Sequence, residues 1–210
     1  MTTYDGRRAE RCYSIASAPG EPFVELTVER VPDGRVSSYL VDDVREGDVL
    51  EVRGPVGEEF VWRPEWRRPL LVVAEGAGIV PVRAMLRHHR ASHSSVPVRL
   101  LQVASAAPDL LYRREIMQYA TSDEVDVNVA FTGAVPAGWN GYSRGVDARM
   151  LAEVAWPPAA SPLIYVSGPT RFVDRVVPLL ESAGHESGRI RREAFGGSAG
   201  SVIAGAGTPG

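Results

Sequence analysis

The residues of this chain best suited to holding an anion are two glycines that precede a helix start. The stretch PLLVVAEGAGIVPVRAML, residues 69–86, passes from an apolar run (Leu70, Leu71, Val72, Val73, Ala74) through Gly76 and Gly78 into positions with helical spacing (Ile79, Val82, Met85, Leu86). A strand that reaches a helix through glycines offers unpaired N–H groups and the positive end of the helix dipole, which suits a dinucleotide diphosphate. A plain strand–helix connection also needs small residues, so the turn alone leaves both readings open. A second candidate lies in DGRVSSYL, residues 33–40. There Pro32-Asp33-Gly34 makes a turn, and Ser37 or Ser38 caps a short helix running toward Asp43, with open amides near residues 36–38. Other patterns carry less. Gly196-Gly197-Ser198-Ala199-Gly200 spells a nucleophile elbow but has no helix to follow it. His88, His89 and His93 have near-helical spacing but no carboxylate nearby, and read as solvated surface rather than metal ligands. Trp62, Trp66, Trp139 and Trp156 read as packing residues, not as a stacking platform for bases.

The elements that must position these groups change character near residue 66. Before it the pattern is strand after strand. Asp5-Gly6 suits a two-residue hairpin turn with a short arm at residues 1–4, followed by a strand over 9–16. Phe23 to Val31 alternates, with Val24, Leu26 and Val28 on one face. Further strands fit 49–52 and 60–62, and the polar, proline-bearing run Arg63 to Arg68 marks a domain boundary. After it strands (70–74, 98–104, 125–131, 163–167, 190–195) alternate with helices (79–90, 110–119, 147–154, 170–183). Asp147 is the expected N-cap of the third helix, Pro169 suits the first turn of the last, and Pro178 should kink or split it. Such alternation implies a doubly wound, mostly parallel sheet whose ligands lie beyond the strands' carboxyl ends, where Gly76, Ser105 and Ser167 fall. The expected division is 1–66, 67–196 and a glycine-rich, flexible tail at 197–210.

Composition narrows the functions. At 210 residues with 44% apolar content the chain can bury a real core. A formal charge of -3 gives no global field toward nucleic acid or anionic membranes. The single cysteine, Cys12, excludes an internal disulfide framework, a cysteine-ligated zinc site and an iron–sulfur cluster held by this chain alone. No apolar run is long enough to span a bilayer and no leader is visible, so the expectation is a soluble, cytoplasmic protein without metal.

The segments RCYSIAS (11–17), DGRVSSYL (33–40), PDLLYRREI (108–116), PAGWNGYSRGVDARML (136–151) and YVSGPTRFVDRVVPLL (165–180), together with the glycine turn, resemble consecutive blocks of the ferredoxin-NADP reductase family. The resemblance runs in order to about Gly196. It implies an antiparallel β-barrel flavin domain, incomplete at its N-terminus, followed by the doubly wound α/β domain that binds NAD(P). It further implies a hydride passed from NAD(P)H to FAD, then single electrons passed to ferredoxin or an oxygenase component. By this resemblance Tyr13 lies against the isoalloxazine, Ser14 stands near flavin N5 with Ile15 beside it, and Arg11 pairs with the diphosphate. Gly34, Val36, Ser37 and Ser38 form the flavin's phosphate turn. Gly76, Gly78 and Pro81 receive the nicotinamide dinucleotide, and Ser167, Gly168 and Pro169 lie beside its reacting ring, Ser167 standing where the family usually has cysteine. Ser105 and Arg113 are the candidates for the adenosine end, where no acid is expected, a slight lean to NADP over NAD. Phe195 is a candidate near the flavin, with core packing as its other role. Glu75 and Ala77 depart from the family's turn, and a carboxylate at 75 repels a diphosphate unless it points away. The open barrel keeps two other readings alive: a nucleotide-binding module without catalysis, or a truncated remnant that pairs through its open edge.

Overall fold

The computed structural model describes residues 2–4, 7–57, 60–122 and 124–196, with side chains from residue 9 onward. The hairpin expected at Asp5-Gly6 is present as β1 (Thr2–Tyr4) and β2 (Arg7–Ala9), paired antiparallel with Thr2 opposite Ala9. The other early strands do not form ladders among the described residues. Residues 9–16 and 23–31 meet only through an antiparallel bridge between Ile15 and Leu26 and a bond from Ala16 N to Glu25 O at 2.8 Å. Segments 49–52 and 60–62 are not strands either. The physical reason is a shortage of partners: an alternating segment becomes a strand only when a neighbour accepts its N–H and C=O groups and covers its apolar face. Phe23, Val24 and Val52 are exposed, and Val49 is 96% exposed. A closed barrel is therefore not formed by the described residues.

A short helix, α1 (Arg35–Ser38), follows the turn at Asp33-Gly34 and continues into one wide turn over Tyr39–Asp43. Its N-cap is Gly34, not Ser37 or Ser38 as expected. Ser37 sits inside the helix, where its hydroxyl donates to Gly34 O at 3.2 Å and accepts from Val31 N at 3.2 Å.

From residue 69 the apolar runs build one parallel sheet. Its strands are β3 (Leu70–Glu75), β4 (Val98–Ala106), β5 (Val125–Ala134), β6 (Leu163–Pro169) and β7 (Ile190–Phe195), in the order β5-β4-β3-β6-β7. β3 is central, and its first five residues are fully buried because both faces are covered. Successive residues serve opposite faces. Leu70, Val72, Ala74 and Tyr165 pack beneath α2 (Ile79–Ala91) and α3 (Arg113–Thr121) with Trp62. Leu71, Val73, Ile164 and Val166 pack against α4 (Ala148–Val154) and α5 (Thr170–Ser182). Asp147 caps α4 as expected, accepting from Met150 N at 2.7 Å. One helix start is corrected, and of the two outcomes expected at Pro178 the split does not occur. α3 begins at Arg113 rather than 110, because Tyr112 takes a left-handed conformation (φ 55°). α5 is not split: it runs through Pro178 as one helix, held by Phe172, Val173, Val176, Val177 and Leu180 on its buried face. The tail at 197–210, with its nucleophile-elbow pattern, lies outside the described residues. No helix among the described residues is long and apolar enough to cross a membrane.

The first strand runs to one side of the sheet (β4, β5) and the chain then crosses to the other (β6, β7), so the order reverses between β3 and β6. A ligand crevice opens beyond the carboxyl ends at such a point. Gly78 permits this convergence: a Cβ there would overlap the carbonyl oxygen of Ser167 and lie 2.8 Å from Gly168 N. Gly78→Ala is expected to destabilise by about 1–3 kcal/mol through overpacking against backbone that has little room to move. Gly188→Ala, at a site with open space, should leave the stability within about 0.5 kcal/mol of wild type. Equal denaturant midpoints for the two variants would contradict the close approach.

Candidate functional site at the carboxyl edge of the sheet

Three chain segments meet at this edge. β3 ends at Glu75, Gly76 turns the chain at φ 56°, and a single 3-10 turn over Gly76–Gly78 leads into α2. The 3-10 turn feeds directly into α2, the Ile79 amide bonding back to Gly76 O, with open space above Gly76 and with Pro81 in the first turn, where no intrahelical donor is needed. β6 brings Ser167, Gly168 and Pro169 alongside. A Cβ on Gly168 would lie 2.8 Å from Phe172 Cδ1 and 3.3 Å from Glu75 O, so this glycine too lets the strand ends crowd together. β7 brings Phe195, half-buried and paired in register with Pro169, its carbonyl accepting from Thr170 Oγ1 at 3.3 Å.

The side-chain centre of the site is a carboxylate that the sequence reading missed. Glu193 pairs in register with Ser167 across β6 and β7, so their side chains share a face. Ser167 Oγ donates to Glu193 Oε2 at 3.1 Å, and Ser14 Oγ donates to Glu193 Oε1 at 2.9 Å. One carboxylate therefore joins the two hydroxyls, 153 positions apart in the chain (167 − 14), that the resemblance assigns to the two sides of a reacting pair. Alternation along β7 carries the signal that finds it: Phe195 was already a candidate, and residue 193 lies two positions before it on the same face. Ser167 is fully buried and Ser14 half-buried, so the fold fixes both.

The neighbours of Ser14 form a graded surface. Tyr13 is half-buried, and burial pushes its phenol pKa up, with the Arg11 guanidinium acting in the opposite sense, so the ring stays neutral. Ile15 is 36% exposed, an apolar side chain left open beside it. Arg11 is exposed, with one nitrogen donating to Glu10 O at 2.7 Å. An exposed guanidinium, a planar aromatic and an aliphatic at the alternate positions 11, 13 and 15 suit a flat ring carrying a diphosphate. At α1, Val36 and Ser37 are buried and the Ser37 hydroxyl is engaged by its own turn, so an anion there is left with backbone amides. Ser38 is half-buried in the same turn, and its amide bonds Gly34 O at 2.9 Å.

The remaining candidates are more scattered. Ser105 is exposed at the end of β4, its carbonyl 2.9 Å from where a Cβ on Gly133 would stand. Arg113 is exposed at the start of α3. Contrary to expectation, an acid does stand at the end of β4: Asp109 folds back so that Oδ2 accepts from Ala106 N at 3.0 Å. Glu75 reaches toward α5, where Arg171 Nη2 lies 3.9 Å from its Oε1. Burial raises the Glu75 pKa, against the lowering effect of Arg171 and Arg175. The histidines also differ from the solvated surface expected of them. His89 is buried against Trp62 with Nε2 2.8 Å from Val96 O, His88 packs edge-on to the same indole, and only His93 is exposed.

Comparison with known proteins finds two domains in this order. Residues 1–61 match the oxidoreductase FAD-binding domain, and residues 72–177, half of the chain, match the oxidoreductase NAD-binding domain. The glycine betaine monooxygenase reductase subunit of Pseudomonas aeruginosa (strain UCBPP-PA14) is 33% identical over 196 residues, which are 91% of this chain and 53% of the relative. Ferredoxin–NADP reductase B of Sorangium cellulosum is 34% identical over 183 residues, 83% of this chain and 71% of the relative. Among solved structures, the flavohem-like FAD/NAD-binding domain of nitric oxide dioxygenase from Vibrio cholerae superposes with a TM-score of 0.77 at 25% identity, covering 88% of this chain and 76% of that one. The chain spans about half the length of the first curated relatives it matches. With matching halves in the same order and a relative covered over most of its length, the chain belongs to the ferredoxin-NADP reductase family of FAD- and NAD(P)-dependent oxidoreductases.

Proposed function

We propose that this chain oxidises NAD(P)H and passes the electrons onward to a one-electron acceptor, a ferredoxin or an oxygenase component. The observation that carries the reading is the Glu193 carboxylate joining Ser14 on one half to Ser167 on the other. FAD, when bound, takes two electrons as a hydride from the nicotinamide, which leaves as NAD(P)+, and releases them one at a time. Residues 1–66 serve the flavin and 67–196 the nicotinamide, in line with the two domain matches. Tyr13 and Ile15 support the flavin ring, Arg11 and the amides of Val36 and Ser37 hold its diphosphate on the turn that Gly34 shapes, its own amide bonded to Val31 O at 3.0 Å, and Gly76, Gly78 and Pro81 admit that of the coenzyme. Glu193 fixes the direction of both hydroxyls and provides a place for a proton between the two ring sites. These groups act by positioning, the term to which hydride transfer is most sensitive. We further infer that the extended segments with exposed Phe23, Val24, Val49 and Val52 are staves of an antiparallel barrel that additional strands complete.

Three experiments test the reading. Purified chain supplied with FAD should turn yellow and bleach anaerobically on addition of NADH or NADPH; Ser14→Ala and Glu193→Gln should slow bleaching by about 10²-fold while coenzyme affinity changes little. Colourless protein that binds coenzyme alone would favour the non-catalytic alternative. With Asp109 taken as the acid that holds a ribose 2′-hydroxyl and repels a 2′-phosphate, NADH should be the better donor, and Asp109→Ser should shift the kcat/KM ratio toward NADPH by about 10-fold. An unchanged ratio removes Asp109 from the specificity. Finally, the raised pKa of Glu75 means that lowering the pH from neutrality protonates it early and removes a charge facing the diphosphate. Coenzyme should bind more tightly as the pH falls through that range, and Glu75→Gln should abolish this component. A variant with the wild-type pH profile would show that the carboxylate, drawn toward Arg171, is silent in binding.

A further inference from the structure

Ser14 and Ser167 belong to different halves, and the halves meet at one buried guanidinium. Arg83 lies on α2 five residues after Gly78 and is 7% exposed. Its Nε donates to Glu115 Oε2 on α3 at 2.8 Å, and its Nη1 lies 2.7 Å from Glu25 Oε1 and 3.4 Å from Ala16 O. The guanidinium lies 4.5 Å from the ring centroid of Tyr112, whose hydroxyl hydrogen-bonds Thr27 Oγ1. Arg87, one turn further, repeats the pattern: Nε to Glu115 Oε1 at 2.6 Å, Nη1 to Glu21 Oε2 at 3.2 Å and to Glu25 Oε2 at 3.3 Å. Burial works to raise the Glu115 pKa, but hydrogen bonds from Arg87 and Arg83 outweigh it and the net shift is downward, so the carboxylate is ionised at neutral pH.

What Arg83 grips matters more than the number of its bonds. Ala16 follows Ser14 by two residues, its amide donates to Glu25 O at 2.8 Å, and Glu25 N donates in turn to Ser17 Oγ at 3.0 Å. Both of Arg83's N-terminal partners are therefore fixed to the segment that carries Tyr13 and Ser14. At its other end, α2 begins in the glycine turn. Arg83, with Arg87 beside it, thus links the segment expected to face the flavin to the helix expected to receive the coenzyme. Exposed ion pairs contribute little, whereas a buried guanidinium stripped of a partner is strongly unfavourable, so this contact has one well-defined geometry.

We propose that Arg83 is a positioning residue for hydride transfer, with Glu115 and Arg87 holding it in place. It sets the separation of the two ring sites without touching either, and the idea rests on the oxidoreductase reading given above. The test uses the full chain loaded with FAD and compares wild type with Arg83→Met, Arg83→Lys, Glu25→Gln and, as a control, Arg90→Met. Arg90 sits on the same helix but pairs only toward α3, with Glu124 at 2.8 Å and the Tyr119 ring at 4.0 Å. Anaerobic stopped flow gives the rate of flavin reduction, titration gives coenzyme affinity, and the long-wavelength charge-transfer band of the coenzyme–flavin complex reports ring stacking. Arg83→Met should lower the reduction rate by about 10-fold or more and weaken the band, with coenzyme affinity within about twofold of wild type. Arg83→Lys should recover part of both, Glu25→Gln should show a smaller loss of the same kind, and Arg90→Met should behave as wild type. If Arg83→Met unfolds, Glu25→Gln, altered at a more exposed partner, decides the question alone. Normal rate and band in Glu25→Gln, or a fall in affinity and melting temperature without a change in the band, overturn the proposal. Wild-type protein that holds FAD but is not reduced overturns the oxidoreductase reading and this proposal with it, whereas active wild type with indifferent variants overturns this proposal only.

Discussion

The backbone of Gly78 lies so close to the end of β6 that no side chain fits between them, and this contact organises the crevice. It brings the turn after β3 against Ser167 and Gly168, at the point where the sheet order reverses. It also sets where α2 starts, and so where Arg83 and Arg87 stand one and two turns later. A larger residue would separate the strand ends and move the helix with its cationic side chains. The steric constraint at one glycine and the ionic contact between the two halves are therefore consequences of a single placement of α2.

The chemistry at the edge follows from strand alternation. Register puts Glu193 beside Ser167 on the face that meets the N-terminal half. On that same face Phe60 packs edge-on to Tyr165 at 5.1 Å and Arg191 lies over Trp66 at 5.1 Å. The face thus grades from apolar and cation–π packing at the inner part of the sheet to a hydrogen-bonded carboxylate at its rim. The Glu193 charge at the rim is met by hydroxyl donors from both sides.

Much of the second half was legible because burial on both faces leaves unmistakable apolar runs. The strands at 70–75, 98–106, 125–134, 163–169 and 190–195 fall within three residues of the expected limits. The first half was legible in type but not in pairing: the alternation of Val24, Leu26 and Val28 is real, yet alternation says nothing about whether a partner strand is at hand. Ser37 was misplaced because a serine near a helix start can cap it or sit within its first turn, and the choice depends on Gly34 and Val31. Glu193 was missed because a lone Glu in a strand with two arginines looks like solvent-facing charge, and only the register with Ser167 brings it inward. His89 looked solvated for a related reason, since its neighbour Trp62 lies 27 positions away (89 − 62) and no local pattern couples them.

β7 stands at one margin of the sheet, hydrogen-bonded to β6 on a single side. Strands of that kind belong to the part of a domain that opens at the smallest free-energy cost, well before the central strands yield. The carboxylate that joins Ser14 to Ser167 is carried on it, so the geometry of the site is tied to an edge strand while β3, buried on both faces, holds the fold. Function in this chain is accordingly a more fragile property than foldedness: warming or mild denaturant would release Glu193 from its two hydroxyls while the sheet as a whole remained native.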